Sequence, residues 1–219
     1  MVRSQWRDEQ PVPSASSQRQ SSPLVRPLRW INKVGATLAG RGLRVPNLSE
    51  ESLIATARQK TGLEDLGDEA FRPRMRVFIQ ALEQEAQLTT VGRGIMRRQL
   101  LRFLVNRLRI EEDFKRHPEI LARPLKNPVV IVGPMRSGTT RLHRLLASDQ
   151  RFAHLRSFET ISPVPRPEFE DVLAGEKEDF RPKLAARIMK VARLANPRTL
   201  SIHPTGPYEP EEELGLLVA

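Results

Sequence analysis

The sequence predicts an α/β fold: a parallel sheet flanked by helices and preceded by an N-terminal helical region. Three observations carry that reading. Residues 47–126 place apolar side chains at spacings of three and four between helix cap and stop signals. Pro128-Val129-Val130-Ile131-Val132 is a short, wholly apolar, β-branched run, the pattern of a strand buried on both faces of a parallel sheet. A glycine-containing loop then leads into a helix with Leu142, Leu145 and Leu146 on one side, completing a strand, loop and helix unit.

Taken in order, residues 1–23 are rich in Ser, Gln, Pro and Arg with almost nothing to bury, so 1–46 is read as a mostly disordered arm. Within it Leu28, Trp30, Ile31, Val34 and Leu38 suit one short amphipathic element. The helical region spans 47–126. Asn47 with Glu50 three residues on signals a helix start, Leu53, Ile54 and Ala57 share a face, and Gly62 stops the helix. A second helix follows Asp68 through Met75, Phe78, Ile79 and Leu82, with Pro73 tolerated in its opening turn. The longest runs from Thr90 to about Arg116, with Ile95, Met96, Leu100, Phe103, Leu104 and Leu108 on one side and Pro118 ending it.

Residues 127–219 form the α/β part. After the first strand a second is expected to end at Glu159 and a third to lie around Thr199 to Ile202. Between them, residues 167–198 carry a helical pattern that Pro182 divides in two. Pro210-Glu211-Glu212-Glu213-Leu214 reads as a helix opening with acids in its first turn. Two or three strands make a thin sheet, so the sheet is expected to be incomplete in this chain.

Composition narrows the chemistry. The 219 residues contain no cysteine, which excludes disulfides, thiolate metal sites and a cysteine nucleophile. Net charge is +10, and 29 of the 36 basic residues are arginine, the side chain that pairs bidentately with phosphate and sulfate. Eight Phe, two Trp and one Tyr leave few stacking platforms, so no specific nucleic acid partner is expected. No apolar stretch suits a transmembrane segment or secretory signal, which predicts a cytoplasmic protein. The arginines of 93–109 read as a basic helical face, solvated or turned to an acidic partner.

Gly133-Pro134-Met135-Arg136-Ser137-Gly138-Thr139-Thr140 is where chemistry concentrates. Glycines five apart let backbone turn tightly around an anion. The helix start presents free N–H groups and the positive end of its dipole, and Ser137, Thr139 and Thr140 add hydroxyl donors. This is the skeleton of a P-loop, yet Thr139 stands where nucleotide triphosphatases need lysine. The cation comes earlier, at Arg136. His203 has a ring that titrates near neutrality, and Glu159 at a strand end sits where ligands gather in open α/β sheets; both are candidate bases.

A basic residue followed by Ser-Gly-Thr-Thr resembles the 5′-phosphosulfate loop of sulfotransferases that use 3′-phosphoadenosine 5′-phosphosulfate (PAPS), and 128–146 looks especially like the bacterial members. The resemblance implies PAPS as donor, with Gly133, Pro134, Met135, Arg136, Ser137, Gly138, Thr139 and Thr140 binding it. Arg136 would take a catalytic role beside the sulfate, with no metal required. The acceptor would be a small molecule bearing a hydroxyl or amine, deprotonated by Glu159 or His203. Related enzymes continue into a strand and helix that bind the 3′-phosphate, so the chain reads as an N-terminal part, truncated at its C-terminus, with little affinity for adenosine 3′,5′-bisphosphate. Two alternatives stay open: a P-loop nucleotide kinase or hydrolase, and a basic protein binding an acidic partner.

Overall fold

The computed structural model describes residues 25–124, 126–134, 137–165, 172, 175, 177–195, 205–213 and 216. Among them the regular elements are eight helices: α1 (Val25–Ala39), α2 (Glu50–Thr61), α3 (Phe71–Gln84), α4 (Thr90–Arg116), α5 (Glu119–Ala122), α6 (Thr139–Ala147), α7 (Ser157–Ile161) and α8 (Arg181–Ala195). No described helix is long and apolar enough to cross a membrane.

The main core lies where α2 and α3 pack on α4. Leu53, Ile54 and Ala57 of α2 meet Leu100, Leu104 and Leu108 of α4, with Leu48, Leu66 and Leu82 closing the cluster. Local chemistry sets the helix ends. The Ser49 hydroxyl accepts from Ser52 N and caps α2, while Asn47, two residues upstream, accepts from Ser49 N at 2.8 Å. Gly62 ends α2 at φ 70°, a backbone setting that glycine adopts without strain. Thr89 caps α4 by accepting from Gly92 N at 3.1 Å. Within the segment read as a mostly disordered arm, the short amphipathic element is helix α1, which docks on α4, where Asn32 Oδ1 accepts from Val91 N at 3.0 Å.

Arginines of α4 tie this bundle together. Arg93 is buried and reaches Glu83 on α3 through two hydrogen bonds of 2.7 and 2.6 Å. Arg97 donates to the Asn47 carbonyl and to the Ser52 and Thr56 hydroxyls. Arg107 donates to the Leu66 and Asp68 carbonyls, with its guanidinium 4.4 Å from the centroid of the Phe71 ring. Three members of the anticipated basic face are therefore structural.

The α/β half departs from expectation. Residues 128–132 are in neither helix nor strand and pair with no strand among the described residues, and Val129, Val130 and Val132 are 60, 75 and 88 % exposed. An apolar β-branched run favours burial between neighbours, and the ladder itself needs a second strand to accept its backbone groups. The second expected strand is also corrected: the backbone makes one antiparallel bridge, Arg156 to Pro210, and then turns into α7, so Glu159 lies on a helix. The cause is local, because the Glu159 carboxylate accepts the Arg156 backbone N–H at 2.8 Å and draws the chain into a helical turn. Pro210 is held in that bridge, so no helix starts there. Pro182 is the second residue of α8, where a missing N–H costs nothing. The third expected strand, around 199–202, lies outside the described residues.

Candidate functional site

The loop before α6 is shaped by its two glycines. A Cβ on Gly133 would stand 2.8 Å from Ser137 Oγ and 3.0 Å from Thr139 Cγ2, so only a hydrogen at Gly133 lets the loop fold back against those side chains. Ser137 N donates to the Pro134 carbonyl at 3.2 Å, closing a turn. Gly138 has φ 96° and forms the N-cap of α6 without any side-chain cap. The first N–H groups of α6, at Thr139 and Thr140, have no partner inside the helix and point outward from its positive end. Leu142 and Leu145, the apolar side of α6, are 47 and 68 % exposed. Met135 and Arg136 lie outside the described residues, so the expected cation of this loop is not placed here.

A second cluster forms around Phe158, which is buried at the start of α7. The strap 205–211 runs beside it. Ser157 N donates to the Glu209 carbonyl at 2.9 Å, Phe158 N to Pro207 at 3.0 Å and Glu211 N to Leu155 at 2.9 Å. Arg144 of α6 lies 3.7 Å from Glu209, linking the glycine loop's helix to this strap. Ser157 Oγ and Thr205 Oγ1 are 3.1 Å apart, and Thr205 donates to Glu211 Oε2 at 3.2 Å. None of Thr205, Glu209 and Tyr208 stands out by sequence; only the fold brings them to α7.

Glu159 belongs to this cluster. Its Oε1 accepts from Arg156 Nη2 at 2.7 Å while Oε2 takes the Arg156 backbone N–H. Burial alone would raise its carboxyl, but the Arg156 hydrogen bonds and the Arg156 and Arg181 charges override it and hold the group below the ordinary range. Asp179 behaves alike, with burial outweighed by its pairing to Arg181 at 2.8 Å. Both guanidiniums also face the Phe158 ring, at 4.5 and 5.0 Å from its centroid. Of the expected site residues, then, Gly133, Ser137, Gly138, Thr139 and Thr140 share one loop, Pro134 closes its turn, and Glu159 stands on α7 as an ion-paired helix-start residue. His203 lies outside the described residues. No group of three His, Asp or Glu side chains suited to a metal ion occurs among the described residues.

Residues 128–219 match the Sulfotransferase family. The fold is similar to that of the sulfotransferase STF1 from Mycobacterium tuberculosis, at 31 % identity and a TM-score of 0.63 over 77 % of this chain and 46 % of that one. Residues 128–219 thus belong with the sulfotransferase family. Sulfotransferase STF9 from Mycobacterium avium shares the fold at 22 % identity, with a TM-score of 0.60 over 78 % of this chain and 43 % of that one. The chain thus spans less than half the length of either solved sulfotransferase. No curated protein matches it. The family match begins at Pro128, the first residue of the apolar run that leads into the glycine loop.

Proposed function

We propose that residues 133–140 of this sulfotransferase-family chain hold the 5′-phosphosulfate end of PAPS, in an enzyme that moves the sulfuryl group to a hydroxyl or amine of a small-molecule acceptor. One observation carries the reading: Gly133 is tucked against Ser137 and Thr139 while left-handed Gly138 opens α6 uncapped, so backbone amides and hydroxyls gather at one helix start. An anion with several oxygens suits that donor set. In the reaction the acceptor oxygen or nitrogen bonds to sulfur, the bridging sulfur–oxygen bond breaks, and its electron pair leaves on the 5′-phosphate. The amides of Thr139 and Thr140 would hold that phosphate, and the Arg136 guanidinium would stabilise charge as it builds there. Sulfuryl carries less charge than a phosphoryl group, so this role falls to the arginine and the helix start.

The acceptor's proton goes to a base, for which Glu159 and His203 are the candidates. Glu159 is held in its charged form by Arg156, ready to accept a proton but only weakly basic. If it serves as base, Glu159→Gln abolishes most of kcat with KM kept, and the acid limb of the wild-type rate profile lies below the ordinary glutamate value of 4.5. If it serves only the start of α7, the same substitution lowers thermal stability and leaves the profile's shape alone.

The loop assignment is tested by calorimetric titration of the chain with adenosine 3′,5′-bisphosphate. Arg136→Ala is expected to weaken binding about tenfold or more through loss of charge-assisted hydrogen bonds. Equal affinity in wild type and Arg136→Ala, or a magnesium-dependent preference for ATP, would overturn it.

A further inference from the structure

A cleft of about 1770 Å³ opens between α4 and α8, with α5 and residues 161–165 at its sides, and no described residue of the 133–140 loop lines it. It exceeds the usual small-ligand pocket of about 300–1,000 Å³, so it has room for an extended body. Its walls are of two kinds. Val105 of α4 and Leu184, Ile188 and Val191 of α8 give an apolar surface, while Arg98, Arg102, Arg123 and Arg187 bring guanidiniums.

These arginines differ from Arg93, Arg97 and Arg107, which are consumed by the bundle. Arg98, Arg102 and Arg187 make no hydrogen bond or ion pair among the described residues, whereas the Arg123 charge already acts on the Glu119 carboxylate. Arg102 is the most telling. Its Nε is buried without a hydrogen-bond partner, and its guanidinium carbon lies 5.2 Å from the Phe103 centroid. Burial alone lowers its pKa, with no carboxylate near enough to oppose the effect. The carboxylates that line the cleft, Glu112, Asp113 and Glu119, all belong to the end near His117. The stretch of wall from Lys60 to Arg109 and from Ile161 to Ala192 carries none. A half-buried cation that has lost water and gained no partner is stabilised by any anion that can follow it into an apolar setting.

We propose that this cleft is a binding site for an amphiphilic organic anion. Its sulfate, phosphate or carboxylate group is held by Arg98, Arg102 and Arg187, and its apolar body lies along Val105, Leu184 and Ile188. Inorganic anions satisfy the guanidiniums but leave the apolar wall wet, and uncharged hydrophobes leave Arg102 Nε unpaired. Both parts of the ligand are needed. The site stands independently of the donor loop.

The test uses the full 219-residue chain and two dyes, 8-anilinonaphthalene-1-sulfonate and its uncharged counterpart N-phenyl-1-naphthylamine, titrated by fluorescence. The sulfonated dye is expected to bind more tightly than the neutral one and to weaken as salt is raised. Arg102→Met and Arg187→Met, which keep much of the apolar stem, are each expected to weaken the sulfonated dye about tenfold and leave the neutral dye unchanged. Circular dichroism checks that each variant keeps its helices; Arg187 is exposed, so its variant decides if Arg102→Met does not fold. Leu145→Ser, on the exposed side of α6, is expected to leave the sulfonated dye's affinity as in wild type. Unchanged binding in a folded arginine variant, loss of binding in Leu145→Ser, or equal affinity for the two dyes would each overturn the proposal.

Discussion

Arg93→Met is expected to lower the stability of the helical region by about 2–3 kcal/mol, the cost of leaving a half-buried carboxylate short of its main partner and a carbonyl without donors. Arg93 is 7 % exposed, and Nε, Nη1 and Nη2 of its guanidinium all donate. Nη1 and Nη2 donate to the two oxygens of Glu83, and Nε and Nη2 donate to the Pro46 carbonyl at 3.2 and 3.1 Å. Methionine fills the stem's volume but leaves Glu83 with Arg44 alone, a mostly exposed partner at 3.3 Å, and leaves the Pro46 carbonyl without its donors. The reverse change, Glu83→Gln, keeps a hydrogen-bonding group of the same shape and is expected to cost less. It also isolates a pH effect. The Arg93 hydrogen bond is the largest influence holding the Glu83 carboxyl below its ordinary value, with Arg44 adding to it against the opposing pull of burial. A carboxyl with a depressed folded-state pKa contributes stability that is fully present above its unfolded value near 4.5 and is lost as pH falls through the lower folded one. Wild type should therefore lose stability relative to Glu83→Gln on the acid side of 4.5, and urea denaturation followed by circular dichroism reads both changes. Wild-type stability in Arg93→Met would mean that the pair does not persist in solution.

The contrast between the two halves of the chain explains what sequence reading can see. In 47–126 the information is local: helix period, caps and stops act over a few residues, and α2, α3 and α4 form where Leu53, Met75 and Leu104 fall into register. Even there the arginines of α4 were not separable by sequence. A guanidinium on a long stem can reach either side, and what turned Arg93, Arg97 and Arg107 inward were carbonyls at Pro46, Asn47, Leu66 and Asp68 on other segments. Beyond Asn127 the pattern states a need rather than an outcome. Val129, Val130 and Val132 have the composition of a buried strand, but burial is a property of neighbours, and none is described beside them. The shape of the glycine loop was legible because a glycine-flanked turn into a helix is again a local device: Gly133 folds back against Ser137 and Thr139, and left-handed Gly138 opens α6. Glu159 was placed at a strand end because alternation over a few residues reveals neither the strap 205–211, which pairs with 155–158, nor the local capping contact between Glu159 and Arg156 that turns the chain into α7.

Leu108→Ala is expected to destabilise the chain by about 3–4 kcal/mol, whereas Leu145→Ala should change stability by no more than about 0.5 kcal/mol. Both are leucines on helices with an apolar side. Leu108 is fully buried in the cluster shared with Leu53 and Leu66, so its removal forfeits transfer free energy and leaves a cavity that the rigid crossing of α2 and α4 cannot close. Leu145 is 68 % exposed on α6 and already faces water, so trimming it to alanine removes little that folding had gained and slightly favours the helix. The pair of measurements thus locates where the cooperative unit lies. A large effect at Leu108 with none at Leu145 places the folding energy in the α2–α3–α4 bundle and leaves the apolar side of α6 uncovered. Equal losses at both positions would show that α6 is buried in solution, and that residues 128–147 have found in the folded chain the neighbours their composition calls for.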